Sequence, residues 1–436
     1  MLILHYPSSA TEKKIDRIAN RGLSFKAKDE KSVARILADI RKNGDRALIS
    51  YVRRFDAPSL KKEELQVTRA EISTACRKVS RAFMQSLNLA ARQIEDFHRQ
   101  QTAKSWITTD PSGRLLGQLV HPVDAAGIYV PGGQGGKTPL VSSVLMGVIP
   151  AIIAGVKKIC LATPPTREGD INPHILAAAK RVGVESVFKA GSAWGIAALA
   201  YGTETIPRVD VIAGPGNIYV TLAKKLVAGR VGIDMVAGPS EILVIADDTA
   251  DPGYIAADLL SQAEHDPVAS AILITTSESI AGKVDEALTV QIKPLSRKDI
   301  CKASLEKYGA LIVVKDLEAA FELANRIAPE HLELQLDDPL KYIGRVRNAG
   351  ALFLGKYTPE PVGDYVAGPN HVLPTAGAAR FASALSVDHF IKKTSLIHYP
   401  EDLFRKEAKH IERLAKIEGL EAHANSVRIR VRKKRV

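Results

Sequence analysis

Cysteine is scarce: Cys76, Cys160 and Cys301 are the only three in 436 residues, far apart and in no CxxC arrangement. That spacing argues against a disulfide framework or a thiolate zinc site and fits a reducing cytosol. The opening MLILHYPSS lacks a cationic segment leading into a long apolar one, so no secretory leader is expected. Long apolar runs are missing too. The most apolar stretch, LVSSVLMGVIPAIIAGV (140–156), is short for a bilayer and carries Ser142, Ser143, Gly147 and Pro150. A buried helix is expected there, and no membrane partner. There is no internal repeat, no low-complexity segment and no GxGxxG fingerprint.

What is present is ordinary for a soluble globular protein: 46% hydrophobic and 25% charged residues, with a length that suggests two or three domains. Half of the net charge of +12 sits in the terminal RIRVRKKRV, on Arg428, Arg430, Arg432, Lys433, Lys434 and Arg435. A basic tail can hold nucleic acid. No aromatic residues interleave with this one and no nucleic-acid module accompanies it. The reading is a solvated tail, without a nucleic-acid partner.

The first hundred residues read as helical, with Val33, Ile36, Leu37 and Ile40 at helical spacing. From about 125 the character changes. Short β-branched runs alternate with helical stretches, which predicts parallel sheets with helices on their faces. There is enough for two sheets, with seams near 127 and 240. Beyond about 386 the alternation stops; KEAKHIERLAKIEG reads as a helix and the basic tail as a short strand.

Several polar turns carry candidate chemistry. In RIAPEHLEL (326–334), Glu330 and His331 are adjacent. Neighbouring side chains diverge on a regular element, so both reach one cavity only at a turn, such as Pro329 marks. Without further motifs a charged strand edge is the commoner explanation. AGPGN (213–217) follows a strand and precedes a helix, so Gly214 and Gly216 would let amides approach a phosphate, or simply form a tight turn. YVPGGQGGKTP (129–139) is a second Gly-rich turn. In SQAEHDP (261–267), a persisting helix would put Gln262 and His265 on one face at i, i+3, a spacing that offers two ligands to one metal, with Glu264 off that face. A lone His at a helix end is more often a cap. The long loop 360–381 offers Asp364 and His371, and the last segment offers Glu418 and His423.

Taken together, GIYVPGG, GPGNIYV, AGPSEILVIAD, QAEHDP, PEHLEL, VGDYVAGPNHVLPTAGAARF and EGLEAHANSVRIR, in this order, resemble the histidinol dehydrogenase family from about residue 20 to about 430. The resemblance implies an α/β protein with two Rossmann-like parallel-sheet domains and helical N-terminal and small C-terminal segments. It implies an N-terminal arm (1–24), a catalytic domain (25–126 and 241–385), an NAD-binding domain (127–240) and a C-terminal dimerisation segment (386–436). Gln262, His265 and Asp364 would be Zn2+ ligands from one subunit and His423 the ligand donated by the other subunit of a homodimer. Residue types alone would have favoured Glu264 over Gln262. Glu330 would activate water and His331 shuttle the proton of the substrate hydroxyl. Ser240 and Glu418 would contact L-histidinol, beside the metal ligands and His331. Tyr129 and Asn217 match NAD contacts. Two departures stand out: GSAW (191–194) places Trp194 where the family has an NAD-contacting glutamine, and Val236 stands where proline is common.

The implied reaction oxidises L-histidinol to L-histidinal and on to L-histidine with two NAD, the last step of histidine biosynthesis, in the cytoplasm. A related zinc- and NAD-dependent alcohol dehydrogenase acting on another polar alcohol, a zinc hydrolase and a nucleic-acid binder are the rivals. NADH formation with histidinol separates the first two from it, and salt-dependent DNA affinity the third.

Overall fold

The computed structural model describes residues 1–19, 25–133 and 138–431. Part of the expected N-terminal arm (20–24), the middle of the 129–139 turn (134–137) and the tail residues Arg432, Lys433, Lys434 and Arg435 lie outside them. The chain forms two compact units, Met1–Gln101 with Val123–Phe390, and Thr102–Pro122 with Ile391–Val436.

The first unit contains two all-parallel sheets, as the strand–helix alternation predicts. One has five strands in the order Val187–Lys189, Lys158–Thr163, Ala125–Tyr129, Val211–Ala213, Gly232–Ile233. The other has six, in the order Ile3–His5, Ala310–Val313, Ser270–Thr275, Glu241–Ala246, His331–Gln335, Ala351–Leu354. Strands such as EILVIA and SAILIT are buried along their whole length because helices cover both faces. The apolar run at 140–156 is the buried helix Val141–Ala154, closed by Gly155 in the left-handed region. No helix among the described residues is long and apolar enough to cross a membrane.

The helices before residue 100 take a different place from the expected one. The sequence reading attaches 25–126 to the second sheet. Instead, the long helix Ala27–Phe55 packs on Ser192–Tyr201 and Ile218–Val227, while Arg69–Lys78 and Arg81–Arg99 pack on Pro173–Arg181 and Val141–Ala154. Their apolar stripes, such as Val33, Leu37, Ile40 and Leu48, join the core of the five-stranded sheet. Helical periodicity shows which face is buried but not which sheet receives it. The opening strand Ile3–His5 in turn forms the edge of the six-stranded sheet beside Ala310–Val313.

The second unit adds strands that the sequence reading did not name and corrects one expectation. Ile391–His398 pairs antiparallel with Leu115–Pro122, which pairs with Trp106–Thr109. The described part of the basic tail is no strand. Glu421–Val431 is a helix folded back on Glu401–Ile417. The alternating RIRVR suggested a strand, but Ala424 and Val427, the buried pair, sit at i, i+3. Arg428 donates from Nε (3.1 Å) and Nη2 (3.0 Å) to Glu412 on the preceding helix.

Candidate active site

The two sheets offer opposite edges. Around the five-stranded sheet, Tyr129, Pro164, Ser192 and Asn217 all lie at or beyond the carboxyl ends of strands, where ligands usually gather in such sheets. In the six-stranded sheet, Glu241 and His331 are the first residues of their strands. The acid–base pair therefore lies at the amino edge. The helix Pro252–Ala263 runs back from the far end of its strand, so Gln262 returns to that same edge.

The turn before His331 explains how two adjacent residues serve one place. The helix Leu317–Ile327 ends at Ala328, whose φ of +54° is left-handed, and Pro329 follows. Glu330 is then still outside the strand while His331 opens it. The chain here runs so close to its neighbour that a Cβ on Gly350 would lie 2.5 Å from the Glu330 carbonyl oxygen, which restricts position 350 to glycine. Both members of the pair are buried, at 7% and 4% exposure. Glu330 Oε2 accepts the Glu241 amide at 2.9 Å and lies 3.8 Å from His331 Nδ1. Burial, with the Glu241 carboxylate next in effect, pushes the Glu330 carboxyl well above the usual range, making it a stronger base. Burial pulls His331 below 6.5, towards its neutral form.

His331 also has its tautomer set. Nδ1 lies 2.9 Å from the carbonyl oxygen of Glu241, an acceptor only, so the proton belongs on Nδ1. Nε2 then carries a lone pair, and it is buried without a hydrogen-bond partner. It faces Glu360 Oε1 at 3.8 Å.

Glu360 and Asp364 lie on the short helix Glu360–Tyr365. Ligand atoms of His331, Glu360 and Asp364 all fall within 4.8 Å of one another. Gln262 is fully buried; in the amide orientation its neighbours dictate, it donates to both oxygens of Glu360 (2.6 and 2.7 Å) and accepts from the Glu241 amide (3.2 Å). Burial pushes Glu360 up to about 8 and, reinforced by the Glu360 charge, Asp364 to about 7. Carboxyls so packed resist ionising unless a cation joins them. Such carboxylate oxygens suit a divalent metal such as zinc. The helix bearing Gln262 ends at Ala263 rather than persisting to Asp266, so His265 is offered from the turn just beyond it, its amide bonded to the Gln262 carbonyl at 3.2 Å. Glu264 caps that helix end. His371 bonds the Asp364 carbonyl through Nδ1 at 3.2 Å and is held down at about 4 by burial.

Two cavities hold further candidates. One of about 540 Å³ is bordered by Ser240, His265 and Asn217. The other, about 610 Å³ at the carboxyl edge of the five-stranded sheet, is bordered by Phe55, Asp56, Tyr129, Ser192 and again Asn217. Asn217 is thus common to both, and it caps the helix Ile218–Val227 by accepting the amides of Tyr219 (3.1 Å) and Val220 (3.2 Å). The turn before it is rigid. Gly214 has φ +123°, and a Cβ there would lie 2.1 Å from the Tyr129 carbonyl oxygen. Its amide is not free for a phosphate, as the Gly-rich pattern suggested, but donates to Asp234 at 2.8 Å. Its carbonyl accepts from Lys224 Nζ at 2.9 Å, and Lys224 forms a buried ion pair with Asp234. Lys224→Met leaves Asp234 buried without its cation and should cost about 3–5 kcal/mol. Denaturant unfolding measures that loss, and a midpoint within error of the parent would show the pair to be dispensable.

Trp194 is buried at 7% exposure and does not border the cavity. It stacks on Phe55 (5.3 Å between centroids) and donates from Nε1 to Asp56 Oδ2 at 2.9 Å. Both partners do border the cavity, so the indole supports the wall instead of forming it. Burial raises Asp56 from 3.8 to about 6, outweighing the Trp194 hydrogen bond that lowers it. The folded chain therefore holds this proton more tightly than the unfolded one, and stability falls as pH rises from about 4 to about 6. Asp56→Asn, which keeps an acceptor for Trp194, should remove that slope and stabilise the protein near pH 8 by on the order of 2 kcal/mol. Thermal unfolding of both proteins across pH checks it.

The expected site residues thus fall in three places. Glu330, His331, Gln262 and Asp364 gather at one edge; Ser240, His265, Asn217 and Tyr129 border the two cavities. Glu418 and His423 are exposed residues of the second unit, at the end of Glu401–Ile417 and on Glu421–Val431. Sequence reasoning missed Glu360 and Glu241. Glu360 and Asp364 are i, i+4, the spacing of one helix face, and that signal could have found the first. Nothing local marks Glu241, whose partners lie far away in the chain.

Known proteins resemble this chain over nearly its whole length. Chains of 53% identity over 425 residues from Desulfotalea psychrophila (98% of each chain) and 54% over 402 residues from Oleidesulfovibrio alaskensis (92% of this chain, 93% of that one) are both histidinol dehydrogenases. The crystal structure of histidinol dehydrogenase from Elizabethkingia anophelis superposes with a TM-score of 0.92 at 38% identity, covering 99% of this chain and 98% of that one. The histidinol dehydrogenase family profile itself matches residues 20–431, and the chain belongs to that family.

Proposed function

We propose that this chain, an NAD-dependent oxidoreductase of histidine biosynthesis by its family, oxidises L-histidinol to L-histidine through L-histidinal at a zinc site completed by a second subunit. The observation that carries the reading is the buried pair Glu330–His331, with one free imidazole nitrogen and one basic carboxylate turned to the same edge.

The chemistry asks for two different bases. In the first oxidation a proton leaves the substrate hydroxyl as hydride leaves its carbon. Neutral His331 accepts that proton at Nε2, because its other nitrogen is committed to the Glu241 carbonyl. In the second, water must add to the aldehyde. Glu330 takes the proton from that water, and its raised pKa makes the carboxylate, once ionised, a stronger base for the task. Both bases reach one carbon without release of the aldehyde.

Zinc, held by Gln262, His265 and Asp364 with His423 of the partner subunit, would supply Lewis acidity that clamps the substrate imidazole and amine. NAD would accept the hydride. Its support is the shared position of Asn217, with Tyr129 walling the larger of the two cavities; each volume lies in the range that holds small ligands. Ser240 borders the substrate side, and Glu418 of the partner subunit would contact the substrate there. The second unit supports an assembly of two copies: it exposes Trp106, Ile107, Ile397, Leu414 and Ile417, at 51–76%, an apolar surface suited to burial. The reading assigns the reaction to the cytoplasm, as an enzyme of amino-acid biosynthesis by its family.

Chelation tests the metal. After dialysis against a strong chelator, NADH formation from L-histidinol should cease and return with zinc, and Asp364→Ala should hold less zinc by elemental analysis. Full activity in metal-stripped protein would remove zinc from the account.

A further inference from the structure

We infer that Glu241 is the positioning residue of the water-activating base: its carboxylate sets where Glu330 stands. The inference rests on the role proposed above for Glu330. Glu241 is 5% exposed and opens the strand Glu241–Ala246. Its Oε2 accepts the amide of Glu330 at 3.2 Å, and its own amide donates to Glu330 Oε2 at 2.9 Å. Glu330 is therefore held at both its backbone and its carboxylate by one residue. The other oxygen, Oε1, accepts the amide of Ala376 at 3.1 Å. Ala376 sits in the long loop at φ +54°. The carboxylate thus ties the turn that carries the base to a loop whose Thr375 hydroxyl in turn accepts the amide of Gly238, on the border of the smaller cavity.

His331 depends on the same residue through a different group. Its Nδ1 is held by the Glu241 carbonyl, which belongs to the sheet: His331 is in register with Ile242, the next residue along. A change of side chain at 241 leaves that carbonyl in place. It removes the acceptors for Glu330 and Ala376. Substitution therefore separates the two bases and should fall on the second oxidation, where Glu330 acts, far more than on the first.

The chemistry of the side chain makes the inference sharper. Two N–H groups converge on the two oxygens, and a carboxylate offers two acceptors. Glutamine has the same shape but replaces one acceptor by a donor, which would meet an N–H head on. Glu241→Gln should consequently behave much as Glu241→Ala does, although it conserves volume.

The test is single-turnover kinetics on full-length zinc-loaded enzyme, with L-histidinol and separately with L-histidinal. Glu241→Gln and Glu241→Ala should each slow turnover of histidinal by about 10²-fold, the cost of misplacing a reacting group by about an ångström, while hydride transfer from histidinol changes by less than about threefold. Should the alanine variant fail to fold, the isosteric glutamine variant decides. The same substitution is then made in Glu330→Gln protein, where it should add nothing, because the group it positions is already lost. A glutamine variant with the parent rate on histidinal, equal losses in both oxidations, or a further loss in the Glu330→Gln background would each overturn the inference. Equal losses from Glu330→Gln alone would instead overturn the division of labour between the two bases, a separate result read from the single variant.

Discussion

Glu330→Gln should leave hydride transfer from L-histidinol nearly intact and slow conversion of L-histidinal by about 10²- to 10⁴-fold, the usual worth of a general base. The amide keeps an oxygen for the Glu241 N–H but cannot take a proton from water. His331→Asn should do the reverse, slowing the first oxidation by a similar factor, because it removes the lone pair on the buried Nε2. The pH dependence has a definite sign. The Glu330 carboxyl is held well above 4.5, so its base form, and with it the second oxidation, is gained as pH rises through that raised value and lost as pH falls. Single-turnover measurements on each substrate across pH read all of this. Losses of equal size in both steps for both variants would sink the assignment.

Mixing two inactive variants should restore activity. His423→Ala and Asp364→Ala each remove one proposed metal ligand, and each homodimer should be dead. If the site is completed across a two-fold interface, a heterodimer contains one site with every ligand and one lacking both. Activity should then return to as much as half that of the parent per heterodimer. The reasoning starts from where the residues lie. Asp364 belongs to the first unit, whereas His423 is exposed on a helix of the second. That unit is small, and an apolar face which it cannot bury internally needs another surface. Subunit exchange, checked with differently tagged copies, followed by an NADH assay, gives the answer. Heterodimers that remain inactive would mean that His423 serves its own chain or no site.

How much of this was legible in the sequence depended on whether the signal was local. The alternation from about 125 to 354 announced two parallel sheets, and Pro329 announced the turn that lets Glu330 and His331 work together. The gathering of Gln262, Glu330, His331 and Asp364 was legible only through the family resemblance, since their spacings in the chain are long. Periodicity did not reveal that the helices before residue 100 pack on the five-stranded sheet, because an apolar stripe names no partner. Nor did it show that the acid–base pair lies at the amino edge of its sheet, which follows from strand direction alone. In the tail, alternation in RIRVR competed with the i, i+3 pair Ala424 and Val427, and burial favoured the helix. Trp194 was legible as a departure from the family pattern, but its attachment to Asp56 and Phe55 required coordinates. Glu241 was invisible because everything it holds comes from distant parts of the chain.

The central claim is that one site carries the alcohol to the acid without letting go of the aldehyde. The direct measurement is the amount of NADH formed from limiting L-histidinol in the presence of an aldehyde trap. The account predicts two NADH per histidinol, L-histidine as the only product and nothing in the trap. One NADH per histidinol, with trapped histidinal accumulating, would contradict it.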